Sequence, residues 1–254
     1  MTINQAFELL KDAGGIRAAR IITDNFPKIS WFRAHIIAHR LRHGMPVAKI
    51  IHKKWFYGLE FYTNRKTLDP RPDTETLVES VLSDGWRTPR ILDLGTGTGC
   101  IIAALVKNID SATGMAVDIS RGALRVARRN IKKLNLRDKI KIKHASFAKP
   151  RLSREKFDII VSNPPYIEIG DPRVDMGATH DPRIALYAKN RGMAAYEQIA
   201  KNAKNWIAEN GKLYIEIGAG AEVSVRKIFE YAGWKFVRAE KDLSGITRVL
   251  VFAV

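Results

Sequence analysis

The chain has 254 residues, 46% hydrophobic and 27% charged, which is typical of a soluble globular protein with one large domain and room for a small second one. No apolar run reaches the length of a membrane span or of a signal-peptide core, and a single cysteine excludes an internal disulfide and a cysteine-cluster metal site. We therefore expect a cytoplasmic protein without membrane contact, and the net charge of +17, from 43 basic and 26 acidic residues, favours contact with a polyanion.

Residues 2–43 carry the apolar periodicity of helices, which Gly44 and Pro46 end. We expect two apolar faces to pack, one of Ile3, Phe7 and Leu10 and one of Trp31, Ile37 and Leu41. We assign residues 1–54 to a small helical N-terminal domain.

Three histidines recur every four residues in this region, namely His35, His39 and His43, a spacing that could hold a metal ion. No carboxylate or cysteine lies between them, so we interpret them as a solvated basic face and expect no metal.

Residues 55–64, WFYGLEFYTN, alternate as a β-hairpin does. The following PRPDTE, residues 70–75, reads as a linker into a helix, with Asp73 or Thr74 as its candidate cap. We take 55–76 as hairpin and linker and 77–254 as the main domain.

After Pro89 the pattern changes to strands that alternate with helices. The strand candidates are RILDLG, ATGMAVDIS, KIKIKHA, FDIIVSN, KLYIEIG, WKFVRAE and TRVLVFAV. This order predicts a doubly wound α/β sheet of seven strands, in which ligands bind beyond the carboxyl ends of the strands at a topological switch point. The first and fourth strands should meet there.

The first strand ends in DLGTGTG, residues 93–99, whose glycines let the backbone approach a ligand closely. Such a turn alone is equally open to a dinucleotide site, although Cys100 stands where the dinucleotide fingerprint wants its third glycine. Asp118 ends the second strand and can accept hydrogen bonds from ribose hydroxyls, or it can cap the helix that follows. Cys100 itself reads as a packed core thiol.

The fourth strand ends in IVSNPPYIE, residues 160–168. The two prolines stop the strand, and a rigid turn is the simplest interpretation. The break also leaves the Asn163 carboxamide and the Pro164 carbonyl as acceptors beside the Tyr166 ring. Two acceptors and an aromatic face suit a planar NH2 group, which has two donors and a π-system.

Residues 121–156 contain fourteen Lys and Arg against Asp138 and Glu155, which gives 14 − 2 = +12 of the net charge. Leu124, Ala127, Ile131 and Leu134 form an apolar stripe, which leaves the basic side chains to the outer faces. A solubilising surface explains most such runs. The clustering here predicts weak, sequence-independent contact with RNA or the ribosome, or with an acidic face of a protein substrate.

Seven motifs appear in one order from about residue 46 to the C-terminus: PRPDTE, ILDLGTGTGC, VDIS, FDIIVSNPPY, DPRIAL, IEIGAG and KDLSGITR. In these motifs the chain resembles the HemK or PrmC family of S-adenosylmethionine-dependent protein-glutamine methyltransferases. The resemblance implies a Rossmann-like seven-stranded methyltransferase sheet with an antiparallel last strand, joined by a hairpin to a helical N-terminal domain that binds substrate, here residues 1–54. It also implies methylation of the side-chain amide nitrogen of the Gln in the Gly-Gly-Gln loop of class I peptide-chain release factors.

The resemblance further implies the residues of the site. Catalysis falls to Asn163, Pro164 and Tyr166, and these residues and Pro165 would bind the substrate. The residues implied for the cofactor S-adenosylmethionine are Asp93, Gly95, Thr96, Gly97, Gly99, Asp118, Ile119, Ser146, Phe147 and Asn163.

This chain departs from the family pattern at three places. Ala145 stands where an acidic residue is usual, so adenine recognition there would use backbone groups or Ser146. Asp181 with Pro182 replaces Glu-Pro, and Ala221 replaces a Gln.

Other functions fit part of the sequence. NPPY also suits an adenine exocyclic amine in DNA or RNA, but the chain lacks a target-recognition domain and PRPDTE matches the glutamine enzymes. A ribosomal-protein glutamine is a closer alternative substrate. A non-catalytic RNA-binding module would leave DLGTGTG, Asp118 and NPPY without a role, and we rank it last.

Overall fold

The computed structural model describes residues 1–149, 152, 154–171 and 177–254. The chain begins with three helices, α1 (Ile3–Asn25), α2 (Trp31–Arg42) and α3 (Val47–Ile51). Thr2 and Ser30 begin the first two, because each side-chain oxygen accepts a backbone N–H three residues on. These helices form the predicted helical N-terminal region.

The N-terminal helices share a small core of their own. Leu10 and Ile37 are buried in it, whereas Ile3 and Trp31 are 41% and 59% exposed, so the prediction that these two residues pack is wrong. Both stand at the first position of their helix, where no preceding turn covers the side chain.

The three histidines of this region lie near the surface. Nδ1 of His35 and of His43 each lies within 2.9 Å of a helix carbonyl four residues earlier, and the rings of His39 and His43 stack. Across the described ranges, no group of three or more His, Cys, Asp or Glu side chains is placed to hold a metal ion.

A β-hairpin of β1 (Lys53–Phe56) and β2 (Leu59–Tyr62) connects the helices to the main domain. A 3-10 turn then leads into α4 (Glu75–Leu82), whose Glu75 side chain accepts the N–H of Tyr57 at 2.8 Å and so holds the hairpin.

The predicted side-chain cap of α4 is wrong. Thr74 occupies the cap position with helical backbone angles and makes no capping bond. Asp73 instead pairs with Arg248 at 2.7 Å. The 3-10 turn continues directly into the helix, so the first backbone N–H groups need no side-chain acceptor.

The remaining strands are β3 (Arg90–Leu94), β4 (Thr113–Asp118), β5 (Ile140–His144), β6 (Phe157–Ser162), β7 (Ile167–Glu168), β8 (Tyr187–Ala188), β9 (Ile207–Glu216), β10 (Lys235–Lys241) and β11 (Thr247–Ala253). Seven of them form one sheet in the order β10-β11-β9-β6-β3-β4-β5. Strand β11 runs antiparallel to both β10 and β9, and the other neighbouring strands of the sheet are parallel, which confirms the predicted fold class. The short parallel pair β7 and β8 lies outside this sheet and was not predicted.

Helices cover both faces of the sheet. They are α4, α5 (Cys100–Asn108), α6 (Arg121–Lys133), α8 (Ala194–Asn202) and α9 (Glu222–Tyr231), whereas the short α7 (Arg183–Leu186) contacts β8 outside the sheet. One core lies under α4 and α5, and the other lies under α8 and α9 around the fully buried Trp206 and Phe229. Because both faces are covered, the central strands β3 and β6 are buried over most of their length.

The switch point lies where predicted. Strand β3 pairs with β4 on one side and with β6 on the other, so the DLGTGTG turn and NPPY leave adjacent carboxyl ends. Among the helices in the described ranges, none has the length and apolar character to cross a membrane.

Candidate active site

Two pockets adjoin at the carboxyl ends of β3, β4 and β6. The first has a volume of about 230 Å³ and the second about 740 Å³. Asn163 lines both, together with Leu68, Arg71 and Ala185. The two cavities therefore meet at the side chain that ends β6.

The glycine turn after β3 forms one wall of the first pocket. Gly95 and Gly97 have φ of +78° and +54°, and a Cβ placed on either would point into open space, with no atom closer than 4.0 Å. The N–H groups of Gly95 and Thr96 both bond to the Val117 carbonyl, which fixes the turn to β4. Backbone is thus presented to a ligand without side chains in the way.

Asp93 and Gly99 do not line the pocket but hold its wall. The fully buried Asp93 accepts the Thr96 hydroxyl at 2.6 Å, and its other oxygen, Oδ1, has no partner within the described part of the chain. Burial raises the pKa of Asp93 to about 7. Gly99 lets α5 pack on α6, since a Cβ there would lie 3.4 Å from that of Ala127.

Asp118 ends β4 at the rim of the first pocket. Its carboxylate accepts the N–H groups of Gly97 at 3.0 Å and Ser120 at 2.8 Å, and burial raises its pKa. The helix-cap alternative is wrong, because Ser120 caps α6 through the N–H of Ala123. The remaining lone pairs of Asp118 are available to ligand hydroxyls.

Ile119, Ser146 and Phe147 complete the far wall of the first pocket. Phe147 is held by its carbonyl, which accepts the Asn202 side chain at 3.0 Å. The Ser146 hydroxyl accepts the N–H of Ala148 and keeps its own proton to donate. Ala145 packs against the core and does not line the pocket.

The NPPY segment divides between the two pockets. Pro164 and Tyr166 line the second pocket, while Pro165 faces the first. The Tyr166 ring lies against Gly218, where a Cβ would approach the ring to 3.0 Å. Burial raises the pKa of the Tyr166 phenol above its ordinary range, so this side chain is neutral.

Two side chains beside Asn163 were missed from the sequence. The Asn163 amide donates to the hydroxyl of the buried Thr74 at 3.1 Å, and the buried Glu216 lines the second pocket. A carboxyl residue at the end of an apolar strand, at the same sheet edge as NPPY, was the available signal for Glu216.

A buried ion-pair cluster, also missed, ties the N-terminal helices to the site. The 6% exposed Lys49 pairs with Asp69 and Asp181, each at 2.8 Å, and Arg71 pairs with Asp181 at 2.9 Å. The residues after Asp181 line the first pocket, so the cluster fixes that wall. Asp181, which stands where the family pattern has Glu, therefore makes a structural contact.

Cys100 is buried, and burial raises the pKa of its thiol to about 12. A thiol that stays protonated is a poor nucleophile, in agreement with the interpretation of Cys100 as a core residue.

The residues of the first pocket fit S-adenosylmethionine. The open glycine cradle accepts a ligand at close range, Asp118 offers carboxylate lone pairs to ribose hydroxyls, and Ile119 and Phe147 offer apolar faces to a base. The partnerless Oδ1 of Asp93 lies beneath the same turn.

Comparison with known proteins places the chain among methyltransferases. The Methyltransferase small domain model matches residues 65–179. A release factor glutamine methyltransferase of Agrobacterium fabrum is 38% identical over 233 residues, which cover 87% of this chain and 78% of the relative. A bifunctional methyltransferase of Rickettsia felis is 39% identical over 250 residues, 86% of this chain and 47% of the relative. The chain thus spans about half the length of the bifunctional relatives.

A solved methyltransferase from Pyrococcus furiosus superimposes with a TM-score of 0.58 at 16% identity and covers 89% of this chain and 100% of that one. At this identity the likeness is one of fold.

Proposed function

The chain belongs to the release factor glutamine methyltransferase family, and we propose that it transfers a methyl group from S-adenosylmethionine to the side-chain amide nitrogen of the Gln in the Gly-Gly-Gln motif of class I peptide-chain release factors. The proposal includes a cytoplasmic location, because its substrates are translation factors, and a role in translation termination.

One observation carries the proposal: Asn163 lines both a pocket that fits the cofactor and a second, larger pocket of about 740 Å³, which we assign to a loop of the protein substrate. An acceptor held at Asn163 from the second pocket therefore faces the first. Methyl transfer needs this arrangement, since the attacking atom and the methyl group must lie in line.

Methyl transfer to an amide can proceed in a site that has no activating base and only holds the substrate amide between hydrogen-bond acceptors. We call this set of acceptors the clamp. An amide nitrogen is a weak nucleophile because its lone pair is delocalised into the carbonyl. S-adenosylmethionine, when bound, supplies a methyl group on a positively charged sulfur that needs no activation. The task of the chain is to hold the amide, and the proton can leave to water after transfer.

The clamp consists of the Asn163 side-chain oxygen, the Pro164 carbonyl and the Tyr166 ring. The two oxygens accept the two N–H bonds of the substrate amide, and both bonds strengthen as the nitrogen becomes positive in the transition state. Tyr166 is neutral and held against Gly218, so it offers its ring face to the amide plane.

Methyl transfer from labelled S-adenosylmethionine to three substrates tests the proposal: a class I release factor, a ribosomal protein with an accessible glutamine, and duplex or single-stranded DNA and RNA. We expect label on the release factor at a rate at least about tenfold above the others, a difference of about 1.4 kcal/mol in transition-state binding. Preferential labelling of the ribosomal protein or of adenine would replace the proposed substrate.

We also propose weak RNA or ribosome contact through the basic segment 121–156, of which residues 150, 151 and 153 lie outside the described ranges. On α6 the predicted stripe is confirmed for Leu124, Ala127 and Ile131, which are buried. Arg121, Arg125 and Arg128 are exposed and form a shallow cleft with His144.

Other basic residues of α6 are engaged within the molecule. The Arg129 guanidinium lies 3.6 Å from the centre of the Tyr62 ring, and Lys133 pairs with Glu60 at 2.5 Å. These two residues fasten the hairpin to α6. The polyanion contact is therefore assigned to the three arginines of the cleft.

Replacement of Arg121, Arg125 and Arg128 by Gln should flatten the salt dependence of RNA binding. Each lost phosphate contact removes about 0.7 units of log-log slope for a single strand, so we expect a loss of about two units. Fluorescence titration at several salt concentrations measures the slope. Lys227, Lys235 and Lys241, exposed near the opposite edge of the sheet, supply a control that removes the same charge. Equal salt dependence of RNA binding in both variants would show that the cleft is a solvated surface without a specific role in RNA binding.

A further inference from the structure

The carboxyl group of Glu216 is buried beside the Asn163 side chain. Glu216 ends β9 and is 2% exposed, and β9 pairs with β6 so that Ile215 lies opposite Ser162. The next residues along these parallel strands are Glu216 and Asn163, which are therefore neighbours at the sheet edge. Both line the second pocket.

Asn163, Thr74 and Glu216 form one polar cluster. The Asn163 amide donates to the Thr74 hydroxyl at 3.1 Å. The side chains of Thr74 and Asn163 both lower the pKa of Glu216, as hydrogen-bond donors close to a carboxylate do. Oε2 of Glu216 has no hydrogen-bond partner in the part of the chain that the structure describes.

An ionised carboxyl group fixes the direction of hydrogen bonding in this cluster. A carboxylate only accepts, so a Thr74 hydroxyl that bonds to it is the donor and keeps its lone pairs for the Asn163 NH2 group. The carboxamide then has one orientation, with its nitrogen toward Thr74 and Glu216 and its oxygen toward the pocket. That oxygen is the atom that the clamp uses.

A protonated Glu216 removes this constraint. A carboxylic acid is also a donor, and Oδ1 of Asn163 is an acceptor within the same cluster. The hydrogen bonds can then reverse and occupy the oxygen that the substrate amide needs.

The surroundings of Glu216 place this change near neutral pH. Burial, together with the nearby Asp73 carboxylate, raises the pKa of Glu216 to about 7 against the opposing effects of Thr74, Arg248 and Asn163. Two phenols also face the carboxyl group, Tyr166 and Tyr196, and burial keeps both protonated. Glu216 is thus the group of this cluster that titrates near pH 7.

We propose that Glu216 is a positioning residue for methyl transfer: its carboxylate, with Thr74, orients the Asn163 carboxamide so that Oδ1 faces the substrate amide. The role rests on the proposed function, because it assigns a partner to the clamp of that reaction.

Single-turnover methylation of the release factor against pH tests the role. The wild-type rate should rise with a slope of one in log rate below about pH 7 and level off above it, since the ionised form is the active one. In Glu216→Gln the side chain keeps its shape, but its amide can donate a hydrogen bond to Oδ1 of Asn163. We therefore expect a methylation rate about 100-fold below that of the wild type at pH 8 and no inflection in its pH profile. The affinity for the cofactor should stay within about twofold of the wild-type value.

Thr74→Val provides a second, independent readout. It removes a hydrogen bond that favours the ionised carboxyl group, so the inflection should move to higher pH. A merely structural contact would lower the rate without moving the inflection.

Three results would overturn the role. The first is a Glu216→Gln rate within threefold of wild type from pH 5.5 to 9. The second is a slow Glu216→Gln variant that keeps the wild-type inflection, which would assign the titration to another group such as Asp93, whose pKa burial also raises to about 7. The third is an unmoved inflection in Thr74→Val.

If the wild type itself fails to methylate the release factor, the proposed function is wrong and the role of Glu216 is wrong with it. If the wild type is active, these results test only the role of Glu216.

Discussion

Asn163→Ala is expected to lower the single-turnover rate of methyl transfer by about 100- to 1000-fold, the loss that follows removal of one preorganised hydrogen-bonding group at a reacting centre. Asn163 is one of the four residues that line both pockets, and its oxygen gains interaction energy only as the amide nitrogen becomes positive. The loss should therefore appear in the chemical step, with cofactor affinity changed by less than about threefold.

The rate is measured by rapid mixing of the enzyme and labelled cofactor with excess release factor, and the affinity by calorimetry. Asn108→Ala is a matched control, because Asn108 is exposed at the far end of α5 and bonds only to the helix carbonyl of Ala104 among the contacts described. Turnover of Asn163→Ala within threefold of Asn108→Ala would remove Asn163 from the clamp.

Asp118→Ala is expected to weaken S-adenosylmethionine binding by about 1.5 to 3 kcal/mol for each charged hydrogen bond lost, which is about 10- to 150-fold in Kd. The carboxylate stands at the pocket rim with lone pairs free for ribose hydroxyls, and it also holds the Gly97 N–H of the glycine turn. Both effects weaken cofactor binding, so the turnover rate at saturating cofactor should fall by a smaller factor than the affinity for the cofactor.

Calorimetric titration measures this Kd, and a thermal melt reports the stability. Asp110→Ala removes an exposed acid from the opposite ends of the strands and should leave the Kd within about twofold. An unchanged Kd for Asp118→Ala, with a lower melting temperature alone, would restrict Asp118 to a structural role in the turn.

The strands of the main sheet were predictable because they are buried on both faces. FDIIVSN and TRVLVFAV are nearly continuous apolar runs, and the structure has strands at Phe157–Ser162 and Thr247–Ala253. The glycine turn and NPPY were predictable for a related reason, since each interrupts such a run with residues that cannot continue it.

The N-terminal region was less predictable because several apolar residues of its helices lie on exposed faces. Ile3 and Trp31 fit the periodicity and are nevertheless exposed, since periodicity does not say how far a neighbouring helix extends. Lys49 gave no signal at all. Its burial depends on Asp69 and Asp181, which come from distant parts of the chain.

The candidate site was predictable where the backbone forms it and not where side chains from separate segments meet. Asp118 and Asn163 end strands and were found, whereas Thr74 reads as a helix cap and Glu216 as part of a strand. The contact between Asn163 and Thr74 joins residues 89 positions apart. Only the fold brings them together.

The position of the methyl group in a release factor after stoichiometric reaction, mapped by tandem mass spectrometry, tests the proposed reaction. We expect a gain of one methyl group on the side-chain amide nitrogen of the Gly-Gly-Gln glutamine, absent when that glutamine is changed to Glu and reduced about 100-fold or more with Asn163→Ala. A methyl group on any other residue, or an equal gain in the glutamine-to-Glu release factor, would contradict it.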